Sequence, residues 1–452
     1  MKQESSTKIN RHHTARRDTR AFRPEARQHD SFSEITASLR SRIPALIARW
    51  RGASGTHGNT APLTAQELHR AAHELLELQR GLTGGRELAG EGYMNRSGSL
   101  GAYILYYWPV SYMQAALAAQ SAGHTVQAAA QAAEQSSRPV RILDVGCGPA
   151  PASAAVLDLF RRTAVFADKF SAEITLCDYS SRVLDVARGL ILPPGTSEKR
   201  ITVKTVQADL LRPGALSSAL ASAGHAPDSY DIIIMSHVLN ELWKDDSDRL
   251  EKQEALLAEL TGMLSSTGLL CLIEPAQLAT SRSLIAMRNR LCTKGYTVVA
   301  PCTGQGSCPA LTAGAAQTCH AEIMWQPPEP VAGLAAAAGL DRQSVKMCYF
   351  IMQKAPLQDG TADGTPEPAA AEISAAVVSD SMRNKAGRIR FILCDGTKRF
   401  TLSAPQHDPH AEALGFFTLR RYDRIKVTGA QQRGTNGELS FGITESTQLE
   451  KL

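Results

Sequence analysis

No run of apolar residues in the chain approaches the roughly 20 needed to cross a bilayer. The most apolar stretches, around Ile232 and Leu269, have the length of buried strands. The first residues are polar and basic and lack the hydrophobic core of a secretory signal. Glu4, Asp18 and Glu25 interrupt that basic run, which fits a mitochondrial transit peptide poorly. The expectation is a cytoplasmic protein, mitochondrial if eukaryotic, with no membrane partner. Paired Cys-x2-Cys, the ligand spacing of most zinc folds, is also missing among the nine cysteines. In an unsecreted chain those thiols point to metal or burial rather than disulfides.

What is present starts with Arg141-Ile-Leu-Asp-Val-Gly-Cys-Gly-Pro-Ala150. A short apolar run ends in an acid and a glycine pair follows, as where a parallel strand turns beneath a nucleotide-like ligand. Gly146 and Gly148 supply a permissive backbone whose N–H groups can approach that ligand. Pro151 stands where the dinucleotide fingerprint needs its third glycine. With Asp144 two residues ahead, the loop reads as the adenosylmethionine loop of a class I methyltransferase, with Ala150 in place of that loop's usual third glycine. Glu173 to Asp178 is a second acid-ended strand, and Asp178 is placed for the cofactor's ribose. Ile201 to Val206 is a third, followed by Asp209 at the usual position for the adenine amine. Asp231 to Met235 and Gly268 to Glu274 continue the series, with helices over 181–190 and 246–264. Strands alternating with helices predict an α/β, Rossmann-like parallel sheet with its ligand loops at the strands' carboxyl ends.

At 452 residues two or three domains are expected. Residues 1–30 hold eight Lys/Arg against four Asp/Glu without apolar periodicity, and residues 1–32 read as a disordered basic arm. A helical cap follows over 33–138. Its first helix carries Ile35, Leu39, Ile43, Leu46 and Ile47 on one face. Thr64 and Glu67 form a capping box, and one helix is expected over 110–135. The aromatic cluster around Tyr103-Ile-Leu-Tyr-Tyr-Trp108 reads as core rather than a base-stacking surface. The methyltransferase-like domain spans 139–354, with a cysteine insertion at 300–320. A Pro/Gly/Asp/Ala-rich linker covers 355–371. Residues 372–452 read as a small β domain of the OB kind, with strands over 387–400, 415–427 and 438–444. Residues 383–426 hold ten Lys/Arg against four Asp/Glu, so both basic ends suit phosphate contact. Nothing points to DNA.

Cys302, Cys308 and Cys319 fall within eighteen residues among prolines and glycines, the setting of a thiolate cage. From the residues alone the fourth ligand is Cys394, at a strand-to-turn boundary, or else Cys348 or His320, and the metal is an iron–sulfur cluster or zinc. Cys147, Cys177, Cys271 and Cys292 read as structural. After the fourth strand, His237 or Glu241 could serve as a base or simply cap the next helix; no catalytic residue is assigned.

The chain resembles the methyltransferase-like assembly factors of the small ribosomal subunit found in mitochondria and bacteria. The resemblance is carried by Leu143-Asp-Val-Gly-Cys-Gly-Pro149, Ser236-His-Val-Leu-Asn-Glu-Leu242, Ile273-Glu-Pro275, Ala300-Pro-Cys302, Cys308-Pro309, Cys319-His320 and Cys394-Asp-Gly396. Ala102-Tyr-Ile-Leu-Tyr-Tyr-Trp-Pro109 is similar as well. It implies a four-iron, four-sulfur cluster on Cys302, Cys308, Cys319 and Cys394, and contact with the small subunit and its ribosomal RNA. Methyl transfer to that RNA is the alternative function.

Overall fold

The computed structural model describes residues 26–53, 59–83, 92–163, 170–192, 200–224, 229–302, 304–354, 372–433 and 439–452. Most of the basic arm and the whole 355–371 linker lie outside these residues.

The cap comprises α1 (Ala26–Ala53), α2 (Ala65–Thr83), α3 (Ser97–Ala102), α4 (Trp108–Ser121) and α5 (Gly123–Gln135). The first helix starts at Ala26, inside the segment assigned to the arm. Ile35, Leu39, Ile43, Leu46 and Ile47 are all buried, as their spacing predicts. The capping box forms: Thr64 N–H donates to Glu67 Oε2 at 2.9 Å and Glu67 N–H to Thr64 Oγ1 at 3.3 Å. The single helix expected over 110–135 is instead two, broken at Ala122 where ψ leaves the helical range. Tyr106 and Trp108 are fully buried, in keeping with a core role for the aromatic cluster.

The central domain runs β1 (Val140–Val145), α6 (Pro151–Arg162), β2 (Ala172–Asp178), α7 (Ser181–Ile191), β3 (Ile201–Gln207), α8 (Ala215–Ser222), β4 (Tyr230–Ser236), α9 (Arg249–Thr261), β5 (Leu264–Glu274) and α10 (Leu278–Thr293). It continues through β6 (Tyr296–Ala300), α11 (Pro309–Thr312), β7 (Ala321–Met324), α12 (Val331–Ala337) and β8 (Ser344–Lys354). The sheet order is β3-β2-β1-β4-β5-β8-β6. The first five strands are mutually parallel and β8 enters antiparallel between β5 and β6. This is the class I methyltransferase fold. Alternation within the apolar strands assigns the faces: Ile232 and Ile234 face α4 to α7, while Ile233 and Met235 face α8 to α10.

The C-terminal domain holds β9 (Ile373–Val377), β10 (Met382–Arg383), β11 (Arg388–Cys394), β12 (Arg399–Pro405), α13 (Pro409–Ala413), β13 (Arg424–Thr428), β14 (Gln431–Arg433), β15 (Ser440–Gly442) and β16 (Gln448–Lys451). Strand β9 pairs antiparallel with β11 and β13, while β12 and β15 pair parallel. A helix sits between the third and fourth long strands. That connectivity is the Greek-key barrel of the OB fold. The strand expected over 415–427 forms only from Arg424; a 3₁₀ turn at Phe416–Thr418 precedes it.

Cap and sheet are joined by a buried charge cluster. Arg42 of α1 donates from Nε to Asp158 Oδ2 of α6 at 2.6 Å, and a second bond reaches Oδ1 at 2.8 Å. The hydroxyl of Tyr112 donates to the same carboxylate at 2.7 Å. Asp158→Ala strands the guanidinium, so urea unfolding should show a loss of about 3–5 kcal/mol. The double variant R42M/D158L should recover much of it. A loss under about 1 kcal/mol in the single variant would mean the pair carries no such weight.

Candidate functional site

The glycine loop leaves β1 through three left-handed residues, Gly146 (φ +65°), Gly148 (φ +51°) and Ala150 (φ +58°). Ala150 adopts, despite its Cβ, the conformation that a glycine would hold without strain. The loop is braced from below and behind. Asp144, 1% exposed, accepts from Ser153 Oγ at 2.7 Å and Ser153 N–H at 3.2 Å, tying β1 to the first turn of α6. Burial pushes its carboxyl up to about 6. Trp108 Nε1 donates to Pro149 O at 2.9 Å. Gly146 is required by packing: a Cβ there would lie 2.6 Å from Val238 Cγ2 in the segment after β4.

Asp178 closes the loop from the second strand. Its Oδ2 accepts from Gly148 N–H and its Oδ1 from Ser180 N–H, each at 3.0 Å. Each carboxylate oxygen keeps a second lone pair, the acceptor capacity a diol would use. Asp209 lies beyond β3, accepts from Leu211 N–H at 3.1 Å and pairs with Arg212 at 3.2 Å. Strands β1, β2 and β3 thus carry Asp144, Asp178 and Asp209 to one end of the sheet.

Sequence reasoning missed the cover over this cleft. A 3₁₀ turn, Tyr93–Asn95, lays Met94 against the loop; a Cβ on Gly148 would sit 3.6 Å from its Cε. Asn95 donates to the Tyr179 hydroxyl at 2.8 Å and accepts from Ser180 Oγ at 2.5 Å. Arg182 holds the Asn95 carbonyl at 2.7 Å. A Cβ at Gly92 would meet the Tyr179 hydroxyl, so a larger residue there requires that side chain to shift.

Behind β4, His237 takes a left-handed backbone (φ +62°) fixed by its N–H on Ile273 O at 2.7 Å. Gln114 donates its Nε2 to Lys346 O at 2.8 Å and therefore presents Oε1 to His237 Nε2, 2.7 Å away. That arrangement places the imidazole proton on Nε2 and leaves Nδ1 as an acceptor. Burial lowers the pKa of the ring to about 4, so it is neutral at physiological pH. Next to it Glu274, ending β5, accepts from Asn240 N–H at 3.3 Å, while its Oε2 is buried without a hydrogen-bond partner. Burial pushes its carboxyl up to about 8. Asn240, Gln253, Arg249 and Glu274 line a small cavity of about 30 Å³, room for about one water.

The cysteine loop is held by guanidinium groups on carbonyls. Arg288 of α10 is 1% exposed and donates to the carbonyls of Gly304 and Gly306 and to Asn289 Oδ1 at 2.8 Å. Asn289 Oδ1 in turn accepts from Cys308 N–H at 3.0 Å. Arg282 grips Gln317 O at 2.7 Å, and Arg399 of the OB domain grips Thr318 O at 2.9 Å. Arg288 could have been suspected from sequence: a charged residue shares the helix face of Leu284 and Leu291.

The OB turn comes so close that a Cβ on Gly304 would lie 2.8 Å from Gly396 Cα. Cys308 and Cys319 fall within electrostatic reach of each other, of Cys302, of Cys394 and of Cys348. Burial raises the Cys302 thiol to about 12 and Cys394 to about 11. Cys319 Sγ lies 3.3 Å from the Tyr422 hydroxyl. Cys348 is buried in β8, 3.9 Å from Ser281 O. His320 sits beside Cys319 with Nδ1 buried and unpartnered. Among the described residues no three His, Cys, Asp or Glu side chains stand in metal-ligating geometry. The donor chemistry still fits a thiolate-held group: four thiols lie along these segments, and the buried Nε atoms of Arg288 and Arg399 lack partners.

The family profile described as mitochondrial small ribosomal subunit Rsm22 matches residues 102–350, more than half of the chain. The chain belongs to this family. The match takes in the aromatic segment from Ala102, the glycine loop, and Cys302, Cys308 and Cys319; the cleft cover at Tyr93–Asn95 and Cys394 lie outside it. No curated protein matches. Among solved structures, a putative RNA methyltransferase from Pyrococcus horikoshii is 12% identical, covering 52% of this chain and 86% of its own at a TM-score of 0.27. A putative class I adenosylmethionine-dependent methyltransferase from Listeria monocytogenes is 10% identical, covering 73% and 90% at 0.32. The OB domain of a Thermoplasma acidophilum protein is 15% identical, covering 18% and 73% at 0.13. At these scores the fold assignment rests on strand order and pairing. No helix among the described residues is long and apolar enough to cross a membrane.

Two outcomes follow from this geometry. Gly146→Ala puts a Cβ on a left-handed backbone, a cost of about 1–2 kcal/mol, and against Val238. Calorimetry should show binding of S-adenosylhomocysteine weakened about tenfold or more, with V238A partly restoring it. Unchanged affinity in G146A would place the ligand elsewhere. The second concerns pH. A folded carboxyl raised to about 8 holds a proton that the unfolded chain releases near 4.5. Stability therefore falls as pH rises through that window. His237, lowered to about 4, acts oppositely but only below its unfolded value of 6.5. Between pH 6.5 and 8 the Glu274 contribution remains, and Glu274→Gln should flatten the decline in melting temperature there. An unaltered slope would show that Glu274 is ionised when folded.

Proposed function

We propose that the chain is an assembly or translation factor of the small ribosomal subunit that contacts ribosomal RNA and binds adenosylmethionine. The cofactor lies over Gly146 and Gly148, with Asp178 toward the ribose and Asp209 toward the adenine. Cys302, Cys308, Cys319 and Cys394 hold a four-iron, four-sulfur cluster. The observation that carries this reading is the junction where Cys394, from the basic OB domain, meets the three loop cysteines. It occurs in a chain whose family is described by the small ribosomal subunit. A group held there cross-links two domains, so its binding energy stabilises their folded arrangement. Thiolate ligation must displace protons that burial holds firmly, so loading is favoured at higher pH.

The second reading, an active ribosomal RNA methyltransferase, is favoured by His237. A neutral imidazole with Nδ1 open to accept, beside the glycine loop, suits deprotonation of a nucleophile. The cofactor, when bound, supplies the methyl electrophile.

Tagged chain should sediment with small-subunit or precursor particles at low salt, and absence from all such fractions contradicts the first reading. Mass spectrometry of small-subunit RNA from a deletion strain separates the two: a missing methyl group establishes the enzyme. Anaerobically purified chain should be brown and contain iron and sulfide in equal amounts. Zinc in a colourless protein would replace the cluster. Cys394→Ser should lose the group and lower the melting temperature of the OB domain; a full, stable cluster in that variant would move the fourth ligand to Cys348 or His320.

A further inference from the structure

The outer face of the OB barrel carries a set of cations that form no ion pair among the described residues. In β11 the core takes Phe391 and Leu393, so Arg388 and Arg390 face outward. Register places Arg388 opposite Pro405 and Arg390 opposite Ser403. The face continues through the parallel pairing of Ser403 with Gly442 and onward to β14, where Arg433 lies opposite Ser440. Gly442 has a structural reason: a Cβ there would lie 2.7 Å from Arg433 Cζ. The missing side chain is the floor across which Arg433 reaches.

Arg388 donates from Nε to Ser403 Oγ at 3.3 Å and a second bond reaches Ser403 O at 2.9 Å. Its partners are neutral. Burial and the nearby Arg433 charge both lower the Arg388 pKa. None of Arg388, Arg390 and Arg433 makes an ion pair among the described residues, whereas Arg421, Lys426 and Lys451 of the same domain pair with Asp380, Glu372 and Asp423. Asp408 offsets part of that lowering at Arg388, as the smallest of the three influences. Guanidinium groups gathered without ion-paired carboxylates repel one another, and an anionic partner removes that repulsion. Arg388 and Arg390 lie on the second strand of the barrel, which with the third forms the face on which OB folds bind oligonucleotides, and Arg433 extends that face from β14. The outward positions of β11, β12, β14 and β15 include no aromatic residue, so the stacking platform typical of single-strand binders is missing.

We infer that Arg388, Arg390 and Arg433 form a site for the sugar–phosphate backbone of RNA, read by charge and not by base identity. This rests on the ribosomal reading above and specifies the surface and the mode of contact. Strand β11 leads from Arg388 directly to Cys394, so the junction with the methyltransferase domain sets the direction in which this face is held.

The test is fluorescence anisotropy of the full chain with labelled 20-nucleotide oligouridylate and oligoadenylate across a salt series. The two probes should bind alike. The triple variant R388Q/R390Q/R433Q should bind at least tenfold more weakly at low salt. Its log K against log salt should be shallower by about 2, since each lost phosphate contact on a single strand removes about 0.7. The triple lysine variant should keep most of the affinity, and Arg188→Gln, a distant exposed charge, should change nothing. Circular dichroism and melting of each variant check folding. Unaltered affinity and slope in a folded triple glutamine variant overturn the inference, even if the wild type sediments with small subunits. A strong preference between the two probes overturns the charge-only mode. Loss of RNA binding in the triple variant without loss of sedimentation would leave this face as an RNA site and refute the ribosomal reading's dependence on it.

Discussion

The molecule depends on one close approach, the backbone of Gly304 against that of Gly396. A Cβ on Gly304 would run into the backbone of Gly396, and the two segments they belong to carry Cys302, Cys308 and Cys394. Between Cys302 and Cys308 the described residues are held by the buried Arg288, which takes the carbonyls of Gly304 and Gly306. From the other side Arg399 takes the carbonyl of Thr318. Carbonyl-to-guanidinium bonds leave the thiols as the acidic groups of the junction, and the positive charge of both arginines remains available to whatever negative group forms there. That contact brings the OB domain's Cys394 turn against the cysteine loop of the methyltransferase-like domain.

A second constraint governs the cofactor end. Gly146 is glycine because its backbone is left-handed and Val238 occupies the space above it, and Gly92 lies directly under the Tyr179 hydroxyl. The cleft is thus bounded by the cap, the loop after β2 and the segment after β4. Those three also hold Asn95, Asp178 and His237. The cap's Met94 rests against the glycine loop, which makes the cap part of the site rather than an appendage.

Much of this was legible in sequence, for reasons specific to each element. Strands β1, β2 and β4 are buried on both faces, so they read as short apolar runs, and the acid at the end of two of them marks the ligand edge. Helix α1 was legible from spacing alone. Strand β6 was missed because Tyr296-Thr-Val-Val-Ala is short and runs straight into the cysteine loop. The edge strand β16, Gln-Leu-Glu-Lys, has one apolar residue and no pattern to detect. The barrel topology turned on the parallel pairing of β12 with β15, which is nonlocal and leaves no local signature. The break at Ala122 was hidden because both neighbouring segments are alanine-rich helix formers. The cover at Tyr93–Asn95 was invisible for a simpler reason: its partners, Tyr179, Ser180 and Arg182, lie more than 80 residues away.

The central claim is that this chain meets the small subunit through RNA, on a face whose orientation the cysteine junction fixes. Ultraviolet cross-linking of the chain within purified small-subunit particles, followed by mass spectrometry of the RNA-linked peptides, tests it most directly. The account predicts cross-links on peptides that contain Arg388 to Pro405 and Gln431 to Arg433. Particles in which these peptides carry no RNA, with every cross-link confined to the cleft around Gly146 and His237, would contradict it and leave the chain as an enzyme that touches its substrate only at the cofactor.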